Sequence, residues 1–189
     1  MRRSSFFLRA LPVVATGAAA SFGLFAGCAN PEVDAAIAAL GPEPNGPGRG
    51  PLHRPGQPCL LCHDGGVASN MFAAGTVYAT PYSKIPVNGV SITLTDALGH
   101  QITRSTNCAG NFYVQGDVVL AYPLRAEITC TFPDGTKHRS VMGSRIDRDG
   151  SCAGCHVGSP SESSPGRVSC AQFEPNPAFT TPPNCTGGH

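Results

Sequence analysis

Two pentapeptides in this chain carry residues that could hold a metal-bearing cofactor: "CLLCH" at Cys59–His63 and "CAGCH" at Cys152–His156. Two thiols separated by two residues can bond covalently to the two vinyl groups of one haem, and the adjacent histidine can then ligate its iron. Because the motif occurs twice, the sequence predicts two covalently attached haem c groups. The residues expected to hold them are Cys59, Cys62, His63, Cys152, Cys155 and His156.

Other uses of paired cysteines fit these motifs less well. Zinc can bind cysteine and histidine, but a histidine adjacent to the second cysteine is awkwardly placed to join both thiolates on one ion. A thioredoxin-like redox pair needs a βαβ context, which the surrounding "QPCLLCHDGG" does not offer. Structural disulfides would account for the cysteines and leave the two histidines unexplained.

A second axial ligand on each iron distinguishes electron transfer from chemistry at an open site. With its two motifs the chain resembles the multihaem c-type cytochromes, many of which place a distal histidine a short loop before a motif. This resemblance implies that His53 ligates the first haem, with Met71 as its rival. For the second haem the sequence favours Met142 over His138, because Met142 stands where the last strand runs toward Cys152. A methionine–histidine site has a higher reduction potential than a bis-histidine site, so we expect the two haems to differ.

The N-terminal segment predicts export. Two arginines precede an apolar run that ends at Gly27, which is the pattern of a signal peptide. The sequence "LFAGC" resembles a bacterial lipobox, and this resemblance implies that Cys28 becomes lipidated and anchors the chain to a membrane. The expected location is therefore the periplasm or the outer membrane. Ordinary cleavage near this point and a retained helix remain alternatives.

Strand patterns dominate the stretch between the motifs. In "GVSITLTD", Val90, Ile92 and Leu94 alternate with polar residues, and "LRAEITCTF" repeats the pattern. They predict a mainly β fold, an antiparallel sandwich of about six or seven strands flanked by two loop-rich haem-binding segments. The order "AGTVY", "VNGVSITLTD", "TNCAGNFYV", "PLRAEITC" resembles the Ig-like sandwiches of the carboxypeptidase-regulatory-like, transthyretin-like family. That resemblance covers roughly seventy residues and implies a spacer or binding module rather than a catalyst.

Composition divides the chain into segments of different character. Proline and glycine dominate the tether that follows the signal peptide, and serine and proline dominate the tail. The expected boundaries are 1–27 for the signal peptide, 28–50 for the tether, 51–72 for the first haem-binding segment, 73–145 for the β-sandwich, 146–160 for the second haem-binding segment and 161–189 for the tail.

The chain has nine cysteines, and lipid and haem attachment would use five of them. We expect the remaining four to form two disulfides. Cys108 and Cys130 share the parity of the inward faces of their strands, so we pair them across the sandwich. Cys170 and Cys185 would then close a loop in the tail. An odd number of cysteines is thereby accounted for with no thiol left over.

The whole chain resembles a small dihaem c-type cytochrome with a β-sandwich inserted between its haem motifs. This resemblance implies an electron carrier with redox partner proteins and no catalytic residues. A haem-based sensor or peroxidase-like enzyme with one open iron site is an alternative, and so is a binding or adhesion sandwich with ancillary haems. Charged residues make up 13% of the chain and the net charge is +1, without a basic block, so nothing indicates nucleic-acid binding.

The number of strands would decide whether the two motifs meet. With an even number, the first strand begins and the last strand ends at the same pole of the sandwich. Both motifs would then come together, which electron transfer between two haems requires. An odd number would place them at opposite poles.

Overall fold

The computed structural model describes residues 30–43, 50–171, 179 and 185. Within these residues a short helix, α1 (Pro31–Ala39), precedes six β-strands, and a 3₁₀ turn opens each of the two motifs, at Cys59–Leu61 and Cys152–Gly154. The strands are β1 (Met71–Thr76), β2 (Ser91–Thr95), β3 (Gln101–Ser105), β4 (Asn111–Gln115), β5 (Arg125–Thr131) and β6 (Lys137–Val141). We refer to residues 59–63 as the first motif and to residues 152–156 as the second motif.

The strands form two antiparallel sheets, which confirms the mainly β fold. One sheet pairs β1 with β4, and the other has the strand order β3-β2-β5-β6. A single hydrophobic cluster includes Ala73 and Phe112 from the first sheet and Ile92 and Cys130 from the second. Burial of this shared apolar surface stabilises the association of the two sheets.

The predicted alternation of apolar and polar residues in β2 and the residue before it is confirmed. Val90, Ile92 and Leu94 are at most 2% exposed, so they form part of the core. Thr93 lies on the other face, where its hydroxyl is 3.1 Å from that of Thr103 on β3. A period of two residues therefore separates the core face of this strand from its outer face.

The turn between β2 and β3 is organised by Asp96. Its carboxylate accepts hydrogen bonds from the backbone N–H groups of Leu98 and His100, both at 2.8 Å. Gly99 has a φ of 88°, the left-handed conformation that suits a short hairpin loop. Glycine reaches this conformation at little cost because it has no Cβ.

Both predicted disulfides are wrong, because Cys130 pairs with Cys170 and Cys108 pairs with Cys185. After the second motif the chain returns to the segment that follows β1, where the N–H of Cys170 donates to the carbonyl of Tyr78 at 3.0 Å. This pairing brings Cys170 to the buried face of β5, which carries Cys130. Parity correctly predicted that Cys130 faces inward, whereas Cys108 lies in the turn before β4 and is only partly buried. Parity also does not show which cysteine lies opposite.

The predicted signal peptide, 1–27, and the predicted lipid site, Cys28, lie outside the described residues. In the described part of the chain, no helix is long and apolar enough to cross a bilayer. Export and lipid anchoring therefore stay predictions.

We expect Gly110→Ala to destabilise the fold more than Gly99→Ala does. Both glycines have a positive φ, 74° and 88°, so alanine at either position costs about 1–2 kcal/mol of backbone strain. A Cβ at Gly110 would also lie 2.5 Å from the carbonyl oxygen of Val77, whereas a Cβ at Gly99 would meet nothing within 4 Å. This overpacking adds roughly 1–3 kcal/mol. Urea unfolding measures both losses, and equal losses would contradict the close contact at Gly110.

Candidate functional site

The two motifs adopt nearly the same backbone turn although their middle residues differ. The carbonyl oxygen of the first cysteine accepts hydrogen bonds from the second cysteine and the histidine, at 3.2 and 3.0 Å in the first motif and at 3.3 and 2.9 Å in the second. The residue that ends the 3₁₀ turn has φ −104° and ψ −28° at Cys62, and φ −114° and ψ −36° at Cys155. The chain therefore presents two thiols and one imidazole from the same turn at both places.

A backbone carbonyl orients the histidine of each motif. His63 Nδ1 lies 2.8 Å from the carbonyl oxygen of Ser69, and His156 Nδ1 lies 2.7 Å from that of Gly166. A carbonyl oxygen can only accept a hydrogen bond, so Nδ1 carries a proton in both rings, and Nε2 is the nitrogen left for a metal. Histidines that bind metals commonly have such a hydrogen bond at the other ring nitrogen.

His53 is anchored in the same way, because its Nδ1 donates to the carbonyl of Gly50. The centroid of its ring lies 5.7 Å from that of His63, and the two rings are inclined by 43°. The structure thus brings the predicted distal ligand of the first haem beside the proximal one.

The second motif lies directly against β1. A Cβ added to Gly75 would lie 2.7 Å from Cys152 Cβ and 3.0 Å from its Sγ, so only glycine allows this approach. The residues before Cys152 pair with the same strand, since the N–H of Ala74 donates to the carbonyl of Gly150 at 3.1 Å and Ala74 forms a parallel bridge with Ser151.

The segment that leads to the first motif also contacts β1. The N–H of Gly56, three residues before the first cysteine, donates to Thr76 Oγ1 at 2.7 Å. Burial raises the pKa of the Cys152 thiol to about 12, and the nearby Cys59 contributes to the same rise. Burial also raises the pKa of Cys59. Both motifs therefore approach β1, and the described structure has an even number of strands, six.

A cavity of about 590 Å³ lies between the second motif and the residues that precede the first motif. Cofactor pockets commonly measure about 300–1,000 Å³. We refer to it as the larger cavity, and its lining includes both His53 and His156. Its charged lining residues are Arg54, Lys84, Arg167 and Glu43. The excess of cations over carboxylates suits a ligand that carries negative charge, such as the propionate groups of haem.

Tyr78 and Arg167 line the larger cavity and were missed by the sequence analysis. The guanidinium carbon of Arg167 lies 5.6 Å from the centroid of the Tyr78 ring, a cation–π contact. Burial raises the pKa of Tyr78, so its hydroxyl stays protonated at neutral pH. No motif marks either residue, because the contact joins two segments far apart in the sequence.

The predicted distal ligand of the second haem does not line the larger cavity. Met142 follows β6, and its N–H donates to the carbonyl of Ala126 at 3.0 Å. Its rival, His138, packs edge-on against Phe132 with a centroid distance of 6.4 Å. Neither is among the described residues that line the cavity. Met71 lines a separate, smaller cavity of about 290 Å³, and ligation by Met142 stays a prediction.

The residues present fit a covalently attached haem better than a protein-bound metal ion. Among the described residues, no group of three histidine, cysteine or acidic side chains is arranged to hold a metal ion by itself. A porphyrin supplies four nitrogen ligands of its own, so the protein need supply only the axial positions. Each motif offers one oriented imidazole nitrogen for such a position and two thiols for attachment.

Comparisons with protein-family models, with characterised proteins and with solved structures found no match. The resemblances drawn from the sequence therefore stay predictions. The chemistry open to each motif is that of its own groups, which are two thiols and one imidazole nitrogen.

In chain produced without attached cofactor, we expect iodoacetamide to modify Cys155 before Cys152. Cys155 is exposed, whereas the pKa of Cys152 is about 12. Only the thiolate reacts, and at pH 8 roughly one in ten thousand Cys152 side chains is a thiolate. The rate of its modification should therefore rise as the pH approaches 12.

Mass spectrometry after a short labelling pulse gives the order of modification. Denatured chain is the control, because both cysteines should then react at similar rates. Equal rates in the folded chain would contradict the packing of Cys152 against β1.

Proposed function

We propose that this chain is a dihaem c-type cytochrome that acts in electron transfer. The observation that carries this proposal is the repetition of one turn, with two thiols and a histidine whose Nδ1 is anchored, at two places in the fold. Each haem would supply an iron centre that accepts and releases one electron. Cys59 and Cys62 would hold one haem, and Cys152 and Cys155 the other.

His63 and His156 would provide the proximal ligands through Nε2. Their anchored Nδ1 atoms fix the tautomer that leaves Nε2 free, and they restrict rotation of each ring. A ring held in this way loses little conformational freedom when it binds the iron.

We infer that His53 supplies the distal ligand of the first haem. Metal–nitrogen bonds are about 2 Å long, so two imidazoles on opposite faces of one metal have centroids roughly 6 Å apart. The 5.7 Å between His53 and His63 is close to this separation. For the second haem we retain Met142 as the proposed ligand, reached through the polar, glycine-bearing loop that precedes Cys152.

The proximity of the two motifs supports exchange of electrons between the haems. Cys59 lies near enough to Cys152 to influence its pKa, which implies that groups attached to these thiols would be neighbours. The chain would then exchange electrons with redox partner proteins. Export to the periplasm or outer membrane, with a lipid anchor at Cys28, completes the proposal.

We also infer that the two sheets form a transthyretin-like or Ig-like sandwich that serves as a scaffold. The shared hydrophobic cluster supports this, since it draws on both sheets. In this role the sandwich would hold β1 in place while both motifs bind to it.

A haem-based sensor or peroxidase-like enzyme is the second candidate function. It is favoured by one observation, that neither Met142 nor His138 lines the cavity that His156 lines. If no side chain reached the second iron, its sixth position would be open to a small ligand.

Replacing Cys59 and Cys62 by alanine should remove one haem and leave the other, because each motif holds its own macrocycle. The matched variant, Cys152→Ala with Cys155→Ala, should remove the other haem alone. Intact mass and the pyridine haemochrome spectrum count the attached haems. If the wild-type chain carries no covalent haem when produced with haem-attachment enzymes, the proposed function is wrong.

Met142→Ala should abolish the weak near-infrared band that sulfur-ligated ferric haem shows. Met71→Ala is the matched control and should leave the band unchanged, because Met71 lines only the smaller cavity. If the band is absent in the wild type or survives Met142→Ala, Met142 is not the ligand, and His138 or an open site becomes the better proposal for the second haem. Only an open site would favour the sensor or enzyme.

A further inference from the structure

We propose that Ser164 is a positioning residue for His156 and thereby sets the reduction potential of the second haem. This inference rests on the proposed function, because it concerns an iron ligand. Ser164 lies eight residues after His156 and is 7% exposed. No sequence motif singles it out among the serines of this segment.

The hydroxyl of Ser164 joins the end of the second motif to the segment that anchors its histidine. Ser164 Oγ lies 2.7 Å from the carbonyl oxygen of Val157 and 3.2 Å from that of Cys155, to either of which it can donate. It accepts hydrogen bonds from the N–H groups of Val157 and Gly166, both at 3.1 Å. One side chain thus connects both residues that flank His156 to Gly166, whose carbonyl accepts the hydrogen bond from His156 Nδ1.

The backbone at Gly166 reinforces this arrangement. Gly166 has a φ of 83°, and a Cβ there would lie 2.6 Å from Pro160 Cγ. Gly166, which presents the acceptor carbonyl, is therefore held by packing against Pro160 and by the hydrogen bond from its N–H to the Ser164 hydroxyl.

The first motif has a different environment at the equivalent hydrogen bond. His63 Nδ1 and the carbonyl of Ser69 meet at the exposed surface, where water competes for both groups. The hydrogen bond of His156 is partly buried. A hydrogen bond is stronger when water is excluded, so we expect the anchoring of His156 to be the tighter of the two.

The chemical consequence follows from the donor strength of the imidazole. A hydrogen bond from Nδ1 makes the ring a stronger electron donor through Nε2. A stronger donor stabilises ferric iron over ferrous iron and so lowers the reduction potential. Weakening this hydrogen bond should therefore raise the potential of the second haem.

The test measures both haem potentials by spectroelectrochemistry in the holoprotein. Ser164→Ala should shift the second haem to a higher potential and leave the first haem unchanged as an internal control. Ser163→Ala is the matched control, since Ser163 is exposed and its hydrogen bonds in the described structure are to Ser161. Ser164→Thr keeps the hydroxyl and should return the potential toward the wild-type value.

A second measurement needs no variant and covers the case in which Ser164→Ala fails to fold. In the reduced wild-type protein, the Nδ1–H of His156 should exchange with solvent more slowly than that of His63, as followed by ¹⁵N-resolved NMR. Equal or faster exchange at His156 would overturn the proposal.

The outcomes separate this inference from the function on which it rests. Wild-type chain without covalent haem refutes the proposed function. Two attached haems whose potentials are both insensitive to Ser164→Ala refute the role of Ser164 alone.

Discussion

The lack of a side chain at Gly75 is the constraint on which the arrangement of the two motifs depends. Because no Cβ stands there, Cys152 can lie against β1, and the residues before it pair with that strand at Ala74. The chain that leads to the first motif binds the same strand through Thr76. A strand of six residues thus brings together two segments that are separated by most of the fold.

The two sites share a backbone turn but differ in their surroundings. At the first, the histidine meets a surface loop and a neighbouring ring, that of His53. At the second, Cys152 is partly buried against β1, and the histidine is hydrogen-bonded to a segment that Ser164 holds in place. Two sites with the same ligand residues can differ in their properties when the groups around those residues differ. An uneven pair is therefore expected even before the distal ligands are considered.

Local features of the fold were predictable from sequence, whereas long-range pairings were not. The alternation of β2 and the turn at Gly99 follow from the period of strands and the freedom of glycine. The motif residues could be identified because their types and spacing carry the chemistry. The acceptor carbonyls at Ser69 and Gly166 could not, because every residue has a carbonyl. The disulfide prediction was wrong because no local sequence pattern indicates that the backbone of Cys170 pairs with that of Tyr78.

The disulfides are nested, and this affects the order in which the chain can mature. The bond from Cys130 to Cys170 lies inside the span of the bond from Cys108 to Cys185, and the second motif lies within both loops. A chain that emerges from its N-terminus exposes the first motif before any of these four cysteines. The second motif emerges after Cys130 and before Cys170, so its thiols are at risk of mispairing during that interval. Accurate assembly therefore requires Cys130 to pair with Cys170 although the thiols of both motifs emerge before Cys170 does.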